Sequence, residues 1–270
     1  MQSQNDYVHD YILKRHLYLD LLLCSEARGN SGLCTSCNSQ QAIWRCKECF
    51  GVPSYCSACC RRTHARLPFH RVESWSGSFY QPSWLHLIGV CLYLGHGGDP
   101  CPTVATERNN LWRSYNICDG ETSDNGDTND FATQDDHFHL ADRYPKSGDL
   151  DVNGRPIMII VDVSGVHHIG IEFCRCIDAQ PQDSQLMSLG LFPAMFNNPQ
   201  TAFTFRVLDD FLLDNMACKT TAMNYYSKLR RITNSSFPQF VPVSSFHIAY
   251  ERSYFRLLEL PLLSNMSVPL

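Results

Sequence analysis

Between Cys34 and His70, six cysteines and two histidines fall in short pairs: Cys34-x2-Cys37-x8-Cys46-x2-Cys49-x6-Cys56-x2-Cys59-x4-His64-x5-His70. Hydrophobic periodicity vanishes over this stretch, so something other than an apolar core must hold it. A Cys-x2-Cys knuckle places two sulfurs on one ion around a tight backbone turn, and zinc takes four such ligands at tetrahedral corners. Three knuckles and a histidine pair supply eight ligands, enough for two Zn2+ ions. The short segments between successive pairs favour interleaving, a cross-brace. Cys34, Cys37, Cys56 and Cys59 then share one ion, and Cys46, Cys49, His64 and His70 the other. Sequential pairing is the alternative. Cys60 competes with Cys59 as a ligand, and the x2 spacing favours Cys59.

A redox pair or a disulfide framework would use the same residue type. Three knuckles in so short a span argue against the first, and compartment argues against the second. The N-terminus carries Asp6, His9, Asp10, Lys14 and Arg15 and has no apolar stretch of secretory type. The longest apolar runs, Leu21 to Cys24 and Ile157 to Val161, fall far short of the roughly 20 residues of a bilayer span. The expectation is an intracellular protein whose 14 cysteines are reduced, with no membrane partner.

The rest of the chain reads as α+β. Residues 1–30 hold an N-terminal helix, with Val8, Tyr11, Ile12, Tyr18, Leu19, Leu22 and Leu23 near one stripe. The double-zinc module occupies 31–73. A second cysteine-bearing unit spans 74–199, interrupted by an acidic linker at 116–151 whose ten carboxylates face only Arg143 and Lys146. Within it, Pro156 to Val163 suits a buried strand, Ser164-Gly165 a tight turn, and Ile169, Ile171 and Phe173 alternate with polar residues on a returning strand. Helical patterns fill 200–260, one from Phe203 to Met216, one from Ala222 to Ile232 and a weaker one from His247 to Glu259. A frayed tail occupies 261–270.

His96-x4-Cys101 follows a glycine-rich loop, and Cys174-x-Cys176 ends the returning strand. Two such pairs from distant segments can close a third tetrahedral site. The alternative is that the thiols are half-buried side chains and His96 caps a loop. His167 and His168 are spare ligand candidates.

Longer stretches resemble the CxC-type cysteine cluster, the second of its group, that precedes the catalytic part of fungal KDZ transposases. They are Trp44-Arg45-Cys46-Lys47-Glu48-Cys49-Phe50-Gly51, Arg66-Leu67-Pro68-Phe69-His70-Arg71, and Leu94-Gly95-His96-Gly97-Gly98 with Cys101-Pro102. Asp162-Val163-Ser164-Gly165-Val166-His167, Phe173-Cys174-Arg175-Cys176, Gly190-Leu191-Phe192-Pro193-Ala194 and Pro199-Gln200-Thr201-Ala202-Phe203-Thr204-Phe205 extend the match. The ligand order of Cys34 to His70 is also similar to B-box zinc modules, which supports the cross-brace. The resemblance implies that His96, Cys101, Cys174 and Cys176 chelate a third Zn2+. It also implies a nuclear, transposable-element context.

The family's nuclease lies downstream of this cluster, and no spaced carboxylate triad on an ordered scaffold is legible here. The expectation is a truncated or accessory, non-catalytic protein with no small-molecule substrate. Between Trp44 and Glu73 the charge is +4, on a chain of net charge -5. Arg61, Arg62, Arg66 and Arg71 are therefore candidate phosphate contacts, and DNA the expected partner. The alternative is a B-box-like surface for a transposase or another protein.

Overall fold

The computed structural model describes residues 4–27, 32–106 and 144–241. The expected helix at 247–259, the tail at 261–270 and most of the acidic stretch lie outside these residues. The fold is mixed α/β, two small sheets with helices against them.

Helix α1 spans Gln4–Glu26. Its apolar side chains are open to solvent: Tyr11, Leu19 and Leu22 are exposed, as is every residue from Asp6 to Ala27. Its anchor is the C-terminal end, where the Arg45 guanidinium donates to the Glu26 carboxylate at 2.8 Å.

The first lobe is a four-stranded antiparallel sheet, β1 (Trp44–Cys46), β2 (Ser54–Tyr55), β3 (Val72–Trp75) and β4 (Tyr80–Ser83), in the order β2-β1-β3-β4. Helix α2, Ser57–His64, packs beside it. Its core is half sulfur: Cys34, Cys46, Cys56, Cys59 and Cys60 are buried among Trp44, Tyr55, Val72, Leu85 and Val90. Each strand is only two to four residues long, too short to set up a sequence alternation. Arg45 and Glu73 face each other across β1 and β3 as a buried ion pair.

The second lobe is a five-stranded sheet of β5 (Cys91–Leu94), β6 (Ile157–Asp162), β7 (Gly165–Phe173), β8 (Leu191–Pro193) and β9 (Thr201–Thr204). Its order is β5-β7-β6-β9-β8. β6 and β7 form the expected hairpin, but Asp162 pairs with Gly165, so the turn is Val163-Ser164, one residue earlier than the sequence suggested. A Cβ on Gly165 would lie 2.7 Å from the Thr233 hydroxyl, at a φ of +130°, which explains the glycine. The alternation on β7 does not mark a wet face. His168 and Glu172 are buried too, because the sheet is covered on both sides.

Helices α3 (Gln182–Ser188), α4 (Phe205–Cys218) and α5 (Ala222–Thr233) complete this lobe. Thr204 caps α4 by accepting from the Val207 N–H, and Thr221 caps α5 by accepting from that of Asn224. Phe203 therefore belongs to β9, and the helix expected from it begins two residues later. Val161, Phe203, Val207, Phe211, Tyr225 and Leu229 fill the core between sheet and helices.

The expected linker ends early. Tyr144 is half-buried against Trp84, and Asp151 is buried in a turn where its carboxylate accepts from the N–H groups of Asn153 and Arg155 at 2.8 Å. The lobes are tied together by side chains. The Ser164 hydroxyl bonds the Phe69 carbonyl at 3.0 Å, His86 bonds the His168 carbonyl at 2.9 Å, and Arg71 reaches the Ile232 carbonyl.

Candidate metal centres

Among the described residues, three four-residue groups bring one N or S atom from each residue within 4.8 Å of one another. They are Cys34, Cys37, Cys56 and Cys59; Cys46, Cys49, His64 and His70; and His96, Cys101, Cys174 and Cys176. All twelve residues read from the sequence as ligands stand in these groups. A tetrahedral ion about 2.3 Å from sulfur and about 2.0 Å from nitrogen fixes S–S edges near 3.8 Å and S–N edges near 3.5 Å. The separations below fall on those edges.

In the first group, Cys37 Sγ stands 4.0 Å from Cys56 Sγ. The Cys34–Cys37 knuckle closes through an Asn38 N–H bond to the Cys34 carbonyl, and Asn38 takes a positive φ of 53°. β2 delivers Cys56 to the start of α2, and Cys59 lies in its first turn. The Ser39 hydroxyl and the backbone N–H groups of Ser39 and Gln40 hold the Cys37 thiol down at about 6, which favours the thiolate that a metal takes as ligand. The Arg62 guanidinium donates to Cys59 Sγ at 3.4 Å.

In the second group, His70 Nδ1 stands 3.4 Å from Cys46 Sγ and 3.5 Å from Cys49 Sγ, and His64 Nε2 stands 3.6 Å from Cys49 Sγ. His64 is fully buried, and its Nδ1 bonds the Cys60 carbonyl at 2.9 Å. An Nδ1–H donated there leaves the Nε2 lone pair for a metal and fixes the ring. Burial pushes the Cys46 thiol up to about 12. A cation among these groups would reverse that by favouring the thiolate. Cys60 sits outside both sets as a buried thiol, its pKa raised by the same burial.

The third group lies in the second lobe. β5 and β7 run parallel, with Leu94 opposite Phe173, so the residues after each strand leave the sheet at the same edge. His96 and Cys101 come from one strand end, Cys174 and Cys176 from the other. His96 Nε2 is 3.3 Å from Cys174 Sγ and 3.5 Å from Cys176 Sγ. Cys101 Sγ is 3.9 Å and 3.7 Å from the same two sulfurs. A Cβ on Gly95 would sit 2.8 Å from Cys174 Cβ, so only glycine lets the strand ends approach this closely. The Gln185 amide clamps the knuckle, accepting from the Cys174 N–H at 2.8 Å and donating to its carbonyl at 3.2 Å.

Residues 145–236 match a family. Its description is "CxC2 like cysteine cluster associated with KDZ transposases". The matched stretch covers about a third of the chain and contains Cys174 and Cys176, while the other ten ligand candidates lie before it. No curated protein and no solved structure matches the chain.

The sequence-derived basic residues divide. Arg61, Arg62 and Arg66 are exposed on and just after α2. Arg66 pairs with Asp99 at 3.5 Å, both well exposed. Arg71 differs: its guanidinium is held by the Glu48 carboxylate and the Ile232 carbonyl, a contact between lobes rather than a free cation. Neither spare histidine joins a ligand group. His167 bonds the Ser164 hydroxyl at 2.9 Å, and His168 packs against Trp84 and Tyr144. The Asp162–Ser164–His167 set is not a nucleophile triad, because the hydroxyl contacts the carboxylate itself, at 2.6 Å. Sequence reasoning missed Ser39, Gln185 and the Cys60 carbonyl. None carries a motif, since each acts by bonding a ligand rather than being one.

No helix among the described residues is long and apolar enough to cross a membrane.

Proposed function

We propose that this is a zinc-stabilised, non-catalytic recognition module that works with a KDZ-type transposase in the nucleus and binds DNA. The observation that carries this reading is the exposed trio Arg61, Arg62 and Arg66, on and just after a short helix that has a residue of one candidate metal group near each end. Cys59 lies in the first turn of α2 and His64 in its last, so ions at both groups fix the orientation of that face. Zinc suits the donors: cysteine sulfur and imidazole nitrogen in fours, at tetrahedral spacing, each group complete from protein residues alone. A complete set leaves no position for a reactive water, which supports a structural role over hydrolysis.

On duplex DNA such a surface neutralises phosphates, with affinity that falls as counterions compete. Fluorescence anisotropy of the metal-loaded chain on a labelled duplex tests this at low and physiological salt. Binding that weakens by roughly tenfold or more with Arg61→Glu, Arg62→Glu and Arg66→Glu combined is the expected result. A chain that leaves duplex DNA unbound at low salt ends the reading. A protein-binding role is the second reading, supported by the bare apolar surface of α1.

A further inference from the structure

Helix α1 has a second sequence pattern that its exposure makes legible. Val8, Ile12, Arg15, Leu19 and Leu22 recur at alternating intervals of four and three residues, the a/d spacing of a coiled coil. Val8 is 52% exposed, Ile12 47%, Leu19 52% and Leu22 64%. Tyr11 and Tyr18 flank the seam with ring centroids 6.0 Å apart. In proteins most helical stability comes from packing of an apolar face, and this helix presents its apolar side chains bare. We propose that α1 is the seam of an antiparallel two-helix coiled coil formed with α1 of a second copy of this chain.

Three arguments select this occupant. The first is area. The seam residues with Tyr11, Tyr18 and Leu23 make eight side chains, each offering on the order of 100 Å². That approaches the roughly 800 Å² per partner of a specific interface. The second is charge. α1 carries Asp6, Asp10, Asp20 and Glu26 against Lys14 and Arg15, so its acidic surface repels phosphate, whether of nucleic acid or lipid.

The third is direction. A parallel, in-register pair stacks Arg15 on its own copy inside the seam, placing like charges together. An antiparallel pair sets Ile12 against Leu22 and Arg15 against Leu19 of the other copy. The methylene stem of Arg15 then covers a leucine while its head reaches water.

Sedimentation of the full metal-loaded chain from about 1 to about 100 µM reads the association. The expected result is a mass that rises from one chain to two. Direction is read by disulfide trapping in a Cys24→Ser background. Ile12→Cys and Leu22→Cys chains should cross-link when mixed, and neither should cross-link alone. Arg15→Leu should tighten the dimer by about tenfold or more, since it removes the charged layer from the seam. A single-chain mass over the whole range overturns the proposal. So do homodisulfides from either cysteine variant alone, a dimer that traps no mixed disulfide, or a dimer that Arg15→Leu weakens.

Discussion

The two sheets are similar in strand count but differ in what fills them. In the β1–β4 lobe the buried sulfurs of Cys34, Cys46, Cys56 and Cys59, from two candidate metal groups, share the core with Trp44, Tyr55 and Val72. In the β5–β9 lobe an apolar core of Val161, Phe203, Val207 and Leu229 lies between sheet and helices, and the candidate ligands His96, Cys101, Cys174 and Cys176 sit at one edge. Ions bound at these groups would be integral to the first fold and peripheral to the second, so that coordination would stabilise one lobe where burial stabilises the other.

Chelation at neutral pH is the largest test of this contrast. Structural zinc contributes on the order of 10 kcal/mol to modules of this size. Amide exchange protection should therefore vanish across β1–β4 and persist in β6, β7 and β9. Simultaneous loss in both sheets would show one cooperative unit instead. The converse is Phe203→Ala, which should cost about 3–5 kcal/mol by opening a cavity in the second lobe while bound metal stays unchanged. Denaturant unfolding followed by metal analysis reads both quantities.

Glu73→Gln probes the polar part of the first lobe. It removes the buried partner of Arg45 and should cost about 3 kcal/mol, because the exposed Glu26 carboxylate replaces little of it. His168 gives the second lobe a pH signature. Burial, then the nearby His86 and His167, lowers its pKa from 6.5 to about 3. The folded state thus holds it neutral while the unfolded state takes up a proton below 6.5. Its contribution is complete above 6.5 and is lost as the pH falls towards 3. His168→Phe should flatten that slope, sparing about 2 kcal/mol at about pH 5 relative to the unsubstituted chain. Parallel thermal melts across pH would show it. Smallest of all, Arg66→Ala should shift stability by less than about 0.5 kcal/mol, since its bridge to Asp99 is exposed.

How much was legible follows from what each residue does. Ligand candidates could be grouped from spacing because coordination imposes fixed short intervals on the chain, as in Cys34-x2-Cys37 and Cys56-x2-Cys59. The β6–β7 hairpin was legible because its strands are long enough for β-branched runs to show. The first sheet was not: strands as short as Ser54–Tyr55 leave no period to read. Arg71 looked like a phosphate contact because a sequence records its charge but not Glu48 folding back onto it. The end of the acidic stretch is hidden from the sequence for the same reason. Nothing local distinguishes Asp151, buried in a turn, from the carboxylates before it.

The parallel pairing of β5 and β7 has a consequence for how freely this chain can vary. Cys101 and Cys174 are 73 residues apart in sequence and 3.9 Å apart at their sulfurs, so a bound ion there would fasten the base of a very long excursion. The entropy of closing such an excursion rises only logarithmically, by about 0.6 kcal/mol for each doubling of its length. Insertions and deletions in the part of that sequence before Tyr144, outside β6 and the Asp151 turn, would then be nearly free, whereas moving either knuckle by one residue would turn its sulfur away from the ion. Tolerance of length in the intervening sequence and intolerance of register at its ends should be two faces of the same geometry.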